Sequence, residues 1–166
     1  MQAPITVFEV DFDESNFYIS KRVQAVVHKK SRFRTIGYDN AIEAPGLIAI
    51  VGEHVLCVRF EDNHPTERTA VILIKETWKI DMKVHKCEDQ TTEVYITTNG
   101  SQEASSQVQQ LKLGLKQLNI EPIVFENQTG MVCDFETLEV GPAKWREVEK
   151  YPPFADQKKI YQLSRE

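Results

Sequence analysis

Along the first hundred residues the apolar positions come in short runs separated by Gly, Pro, Asn and Asp: ITVFEVDF, FYISKRVQAVVHKK, FRTIGY, GLIAIVGEHVLCVRFED, TAVILIKETWKIDMKVHK and TEVYITT. Runs rich in Val, Ile, Thr and aromatic residues, bounded by turn formers, predict roughly six to eight strands. In WKIDMKVHK the apolar Trp78, Ile80, Met82 and Val84 alternate with Lys79, Asp81, Lys83 and His85, the pattern of a strand with one wet face. LIAIV and TAVILI are apolar throughout and are expected in the buried middle.

After TTNGS the period changes. Ala104, Val108, Leu111, Leu115 and Leu118 recur at steps of three or four, and Gln107, Gln109, Gln110, Lys112, Lys116 and Gln117 take the remaining positions. This predicts a helix over about residues 102–118, with Ser101 as N-cap and Asn119 before IEP as the stop. Gly114 within it costs about 1 kcal/mol of propensity relative to alanine, which points to close packing against the sheet. Two further strands follow, PIVFEN and GMVCDFETLEV, with a turn around Gln128 to Gly130. From Pro142 the composition shifts: PAKWREVEKY reads as a short helix opened by proline, and YPPF cannot continue it. The expected organisation is a β-rich core domain over 1–141 and a C-terminal appendage over 142–166. The expected fold class is α+β: a mainly antiparallel barrel or sandwich with one amphipathic helix before the last two strands. That order is compatible with an elaborated, OB-like oligonucleotide-binding barrel.

A chain of 166 residues, 41% hydrophobic and 27% charged, supports one substantial core. MQAPITVFEVDFDE lacks a basic region followed by an apolar run, and no later segment approaches the length of a membrane span. The expectation is therefore an intracellular protein, in cytoplasm or nucleus, with no membrane partner. Cys57, Cys87 and Cys133 are odd in number and widely spaced, so reduced and mostly buried thiols are expected. The NQT triplet at 127–129 has no secretory context in which to be glycosylated.

Chemistry is sparse. Neither G-x-x-x-x-G-K-[ST] nor G-x-G-x-x-G occurs, and there is no G-x-S-x-G elbow, so no catalytic residue and no cofactor follow from local motifs. Histidine and cysteine come close twice, at His54/Cys57 and His85/Cys87. On a strand, residues two apart converge and residues three apart do not, so one pair lacks the geometry for zinc and no metal is expected.

Asp62 followed by Leu73-Ile74-Lys75, within an order of strand, strand, strand, helix, strand over 47–126, resembles the core of restriction-endonuclease-like nucleases. That family's pattern is an Asp followed by (Asp/Glu)-x-Lys. Here Leu73 stands where the second carboxylate belongs, so the resemblance, which covers about half the chain, implies a catalytically degenerate relative.

The best remaining signal is SKRVQAVVHKKSRFRTIGYD, which holds Lys21, Arg22, Lys29, Lys30, Arg32 and Arg34 and no acid until Asp39, in a chain of net charge −5. Phe17, Tyr18, Phe33 and Tyr38 are interleaved with these cations. In an extended SRFRT, Arg32 and Arg34 share one face and Phe33 takes the other. Guanidinium and ammonium groups suit phosphates, and rings suit unpaired bases. The stretch, with Phe33 and Tyr38, is thus a candidate surface for single-stranded nucleic acid or an acidic protein, unless acids from elsewhere in the fold neutralise it. Trp145, Tyr151 and Phe154, rings in a polar segment, are candidate docking anchors for a protein partner. The function expected is a non-enzymatic binding module, a subunit of an intracellular complex.

Overall fold

The computed structural model describes residues 6–20, 23–42, 44–60, 64–85, 91–146 and 159–162. In chain order the elements are β1 (Phe8–Asp11), β2 (Asn16–Tyr18), β3 (Gln24–His28), β4 (Thr35–Tyr38), β5 (Gly46–Val51), β6 (His54–Arg59), α1 (Glu67–His85), β7 (Thr92–Thr98), α2 (Gln102–Gln117), β8 (Ile123–Glu126), β9 (Met131–Asp134), β10 (Val140–Arg146) and β11 (Lys159–Gln162). The fold is α+β, as expected. Its strands form a five-stranded sheet, β1-β10-β9-β4-β2, and a six-stranded sheet, β11-β3-β6-β5-β7-β8. One sheet is curled into a half-barrel. Both are mixed rather than mainly antiparallel: β1/β10, β2/β4, β3/β11 and β7/β8 pair parallel. Nothing in this arrangement singles out an oligonucleotide-binding barrel.

The six-stranded sheet is the middle layer, and its side chains divide by the period of two. Leu47, Ala49 and Val51 of β5, with Leu56 and Val58 of β6, pack under the helices beside Ile74, Leu111 and Leu115. Ile48, Ile50, Val55 and Cys57 turn the other way, against Ile36, Tyr38, Met131 and Cys133 of the five-stranded sheet. Burial on both faces is why GLIAIV and HVLCVR read as unbroken apolar runs. A third cluster, Val10, Phe12, Tyr18, Val132, Ala143 and Trp145, covers the far side of the five-stranded sheet.

The helix expected over 102–118 is α2. Ser101 caps it by accepting the Ala104 N–H at 3.1 Å, and Asn119 leaves it at φ +59°. Gly114 does mark a close approach, but to the other helix: a Cβ there would overlap the main-chain carbonyl of Glu67 at the start of α1.

Two expectations are overturned. ERTAVILIKETWKIDMKVH is a 19-residue helix, not strand. Ala70, Leu73, Ile74, Thr77 and Asp81 are its fully buried positions, at helical steps, whereas Met82 is 44% exposed, so the alternation from Trp78 to Val84 follows no sheet face. Among the described residues there are therefore two helices, and α2 precedes four strands rather than two. With α1 in place, Leu73-Ile74-Lys75 lies on a helix and the order from 47 to 126 is strand, strand, helix, strand, helix, strand. The nuclease-like resemblance loses its strand-borne Lys75, and Asp62 lies outside the described residues. Residues 142–146, read as the opening of a helix, instead continue β10, which pairs with β9 on one side and β1 on the other. This strand runs through the boundary expected after Gly141.

Candidate partner-binding surface on the β3–β4 loop

The loop joining β3 to β4 carries the described cations of the basic stretch, and its own polar groups hold it in place. The Ser31 N–H donates to the His28 carbonyl at 2.9 Å, and the Lys30 N–H to His28 Nδ1 at 3.0 Å. The Arg34 N–H donates to the carbonyl of Ser15 at 2.6 Å, and its own carbonyl accepts from the Phe135 N–H at 2.9 Å. Phe33 is driven into the core, where its ring meets Phe17 at 4.6 Å between centroids. Arg32 and Arg34 are left exposed on either side of it, in a bend rather than an extended strand. The Arg32 guanidinium lies 4.4 Å from the centroid of the Phe33 ring, a cation–π contact of about 0.5–1 kcal/mol at an exposed site.

Lys29, Arg32 and Arg34 line one open depression of about 310 Å³. Asp134, at the end of β9, and Glu136, in the turn that follows, line it too. The Asp134 carboxylate is committed to that turn, accepting the Glu136 N–H at 2.8 Å and the Thr137 N–H at 3.2 Å. Lys29 pairs with Glu53 at 2.5 Å, both side chains about a third exposed. The surface is thus basic with acids at its margin. Glu53, Asp134 and Glu136 could not be assigned to it from the sequence, because strand pairing brings them there from 19 to 107 residues away from Lys29 to Arg34.

The rest of the expected site is distributed differently. Lys30 is exposed on the same loop, and Lys21 and Arg22 lie outside the described residues. Tyr38 is fully buried and is hydrogen-bonded to Thr97 across the two sheets; burial raises its hydroxyl well above the usual tyrosine range. Phe33 and Tyr38 therefore both belong to the core, Phe33 also lining the depression. Trp145 is 6% exposed, and its ring packs on Phe12 and Tyr18 at 5.4 and 5.1 Å. Its main-chain N–H donates to Asp39 Oδ2 at 2.8 Å, and Tyr18 donates from its hydroxyl to the Asp39 carbonyl at 3.3 Å. The expected docking anchor is thus built into its own domain. Tyr151 and Phe154 lie outside the described residues.

A buried polar cluster stands at the near end of β3 and β6. His54 and His28 face each other across the strand pair, rings 5.0 Å apart. His54 Nδ1 is 2.8 Å from Asp81 Oδ1 of α1, which also accepts the Glu53 N–H at 2.9 Å. Asp81 thereby ties α1 to the tight β5–β6 turn, where Gly52 sits at φ +59° and a side chain would collide with the carboxylate. His54 turns toward α1 while Cys57 belongs to the core between the sheets, so this pair does not converge on a metal. His85 is the last residue of α1, not of a strand, and Cys87 lies outside the described residues. Among the described residues no group of three or more His, Cys, Asp or Glu side chains is placed to hold a metal ion. No helix among them is long and apolar enough to cross a membrane. Comparison with known proteins finds no family model that matches this sequence and no curated protein similar to it.

Proposed function

We propose that this chain is a non-enzymatic binding module, a subunit of a larger assembly, that engages an acidic segment of a protein partner through the β3–β4 loop. The observation that carries the reading is the gathering of Lys29, Arg32 and Arg34 at one depression, on a loop pinned at both ends by main-chain hydrogen bonds. Cations on an ordered loop lose little conformational freedom on binding, and the guanidinium fork suits carboxylates. Protein is favoured over single-stranded nucleic acid by one feature: binding of single strands relies on exposed rings as stacking platforms, and Phe33 and Tyr38 are buried.

The test uses fluorescence anisotropy with two labelled probes, a polyglutamate peptide and a single-stranded oligonucleotide, at low and raised salt. The peptide is expected to bind the wild type in a salt-sensitive manner and to bind Arg32→Glu/Arg34→Glu at least about tenfold more weakly, since both exposed cations are reversed. Absence of peptide binding at low salt removes the proposal. Tighter binding of the oligonucleotide with a steep salt dependence replaces it by the nucleic-acid reading.

A further inference from the structure

Strand β8 ends the six-stranded sheet, and its outer edge has no strand against it among the described residues. Its side chains alternate. Val124 packs under the helices with Leu118 and Ile120, whereas Phe125 packs toward the inter-sheet core, its ring stacked on Tyr95 at 6.4 Å. Ile123 shares the Phe125 face, lies beside Tyr95 in the register and is 53% exposed. On the helix side, Gly114 turns one flank of α2 to α1, which leaves Lys112 and Lys116 on the opposite flank. There they line, with Asn119, Glu121 and Pro122, a depression of about 460 Å³ at the entrance to β8.

We propose that β8 pairs antiparallel with β8 of a second copy of this chain, about a two-fold axis at Val124, so that two six-stranded sheets become one. A two-fold axis normal to the sheet keeps each face on its own side, so opposed residues must belong to the same face and the axis must fall on a residue. An axis at Phe125 sets Val124 against Glu126 of the partner subunit, and one at Ile123 sets Phe125 against Glu121 of the partner subunit. The axis at Val124 alone opposes apolar with apolar: Ile123 meets Phe125 of the partner subunit, and the two valines meet each other. The Tyr95, Ile123 and Phe125 ledge then runs on into its own copy.

On the helix face, the same register brings Glu126 of the partner subunit opposite Pro122, at the depression that holds Lys112 and Lys116. The edge thus supplies both the cations and the carboxylate that meets them, the self-complementarity an isologous interface requires. The main chain agrees. A parallel pair with β7 leaves alternate residues of β8 with N–H and C=O turned outward, and in this register either alternate set faces its own kind across the axis. Covering this edge would also protect it from indiscriminate strand addition.

Sedimentation equilibrium of the full chain over a wide concentration range tests the proposal. The wild type is expected to pass from the mass of one chain to that of two as concentration rises. Glu126→Lys alone, and Lys112→Glu/Lys116→Glu alone, should each weaken association at least about tenfold, because each creates like-charge contacts at the interface. Mixing these two variants should restore a dimer, since every Glu126-side contact then meets the opposite charge. All the altered side chains lie at the surface, and thermal melts verify that folding is retained. A wild type that stays monomeric, a dimer unmoved by either variant, or a mixture that remains monomeric would each overturn it.

Discussion

Gly114 and the two described cysteines show how much a single position can depend on what packs against it. Gly114→Ala gains about 1 kcal/mol of helix propensity. Its new methyl group would collide with the Glu67 carbonyl, a main-chain atom that cannot swing aside, and overpacking of this kind costs about 1–3 kcal/mol. The expected net effect is a lower denaturant midpoint, whereas Leu113→Ala, at an exposed position one residue away, leaves it within about 0.5 kcal/mol of wild type. Cys57 and Cys133 are free and buried. Burial pushes both thiols up, Cys57 well above its ordinary value and Cys133 from 9.0 to about 12. Neither should react with a disulfide reagent in the native state at pH 8, and both should react after unfolding, as peptide mapping will show. The pH consequence follows from the sign. The unfolded chain releases the Cys133 proton near 9.0 while the folded one holds it to about 12, so the stability contributed by this group is complete below 9 and is lost as pH rises toward 12. Tyr95, raised from 10.0 to about 12 by burial and by the neighbouring Glu93, acts in the same direction. A stability profile that rises between pH 9 and 12 would contradict this account.

At the scale of elements, α1 is where local pattern and fold part company. Between Pro65 and Gly100 there is neither glycine nor proline, a length that strands would need turns to break and one long helix does not. Against that signal stood β-branched and aromatic residues, together with an alternation that spans eight positions, Trp78 to His85. Ile72 and Ile74 separate the two readings, since residues two apart share a face on a strand but lie about 200° apart around a helix, at 100° per residue. Ile74→Ala, at a position with no exposure, is expected to destabilise by about 2–5 kcal/mol. Ile72→Ala, 52% exposed, is expected to change stability by less than about 1 kcal/mol. Equal losses at the two positions, read from urea denaturation, would contradict the helix. By contrast α2 was legible at both ends, because its N-cap, its stop and its apolar stripe all agree, and such agreement leaves little for tertiary context to override.

At the scale of the molecule, Trp145 ties the last long strand to the first. Its ring lies on Phe12 and Tyr18, and its main-chain N–H is held by Asp39, so β10 secures the outer face of the five-stranded sheet to residues more than a hundred positions earlier. Trp145→Ala is expected to cost about 3–5 kcal/mol, as loss of a buried aromatic ring does, while Lys144→Ala, exposed on the next position, should be close to neutral. Truncation after Gly141 removes most of β10, the one strand that β1 pairs with among the described residues, so it should lower the melting temperature sharply. An unchanged melting temperature would place Trp145 outside the core.

What the residues decide alone is what depends on near neighbours. The capped stripe of α2, the tight Gly52 turn and the unbroken runs of β5 and β6 all follow from spacing and side-chain type, and so does the exposure of Arg32 and Arg34 on either side of a buried Phe33. Tertiary structure decides what depends on distant ones. It chose helix over strand for α1 because a sheet buried on one face needs a continuous apolar stripe to cover it. It sent Tyr38 inward because the two sheets supplied Thr97 as a partner for its hydroxyl, and Trp145 because Phe12 and Tyr18 supplied an apolar seat for its ring. It also set Glu53, Asp134 and Glu136 beside the basic loop, a juxtaposition made by strand pairing across the chain, for which no local pattern carries a signal.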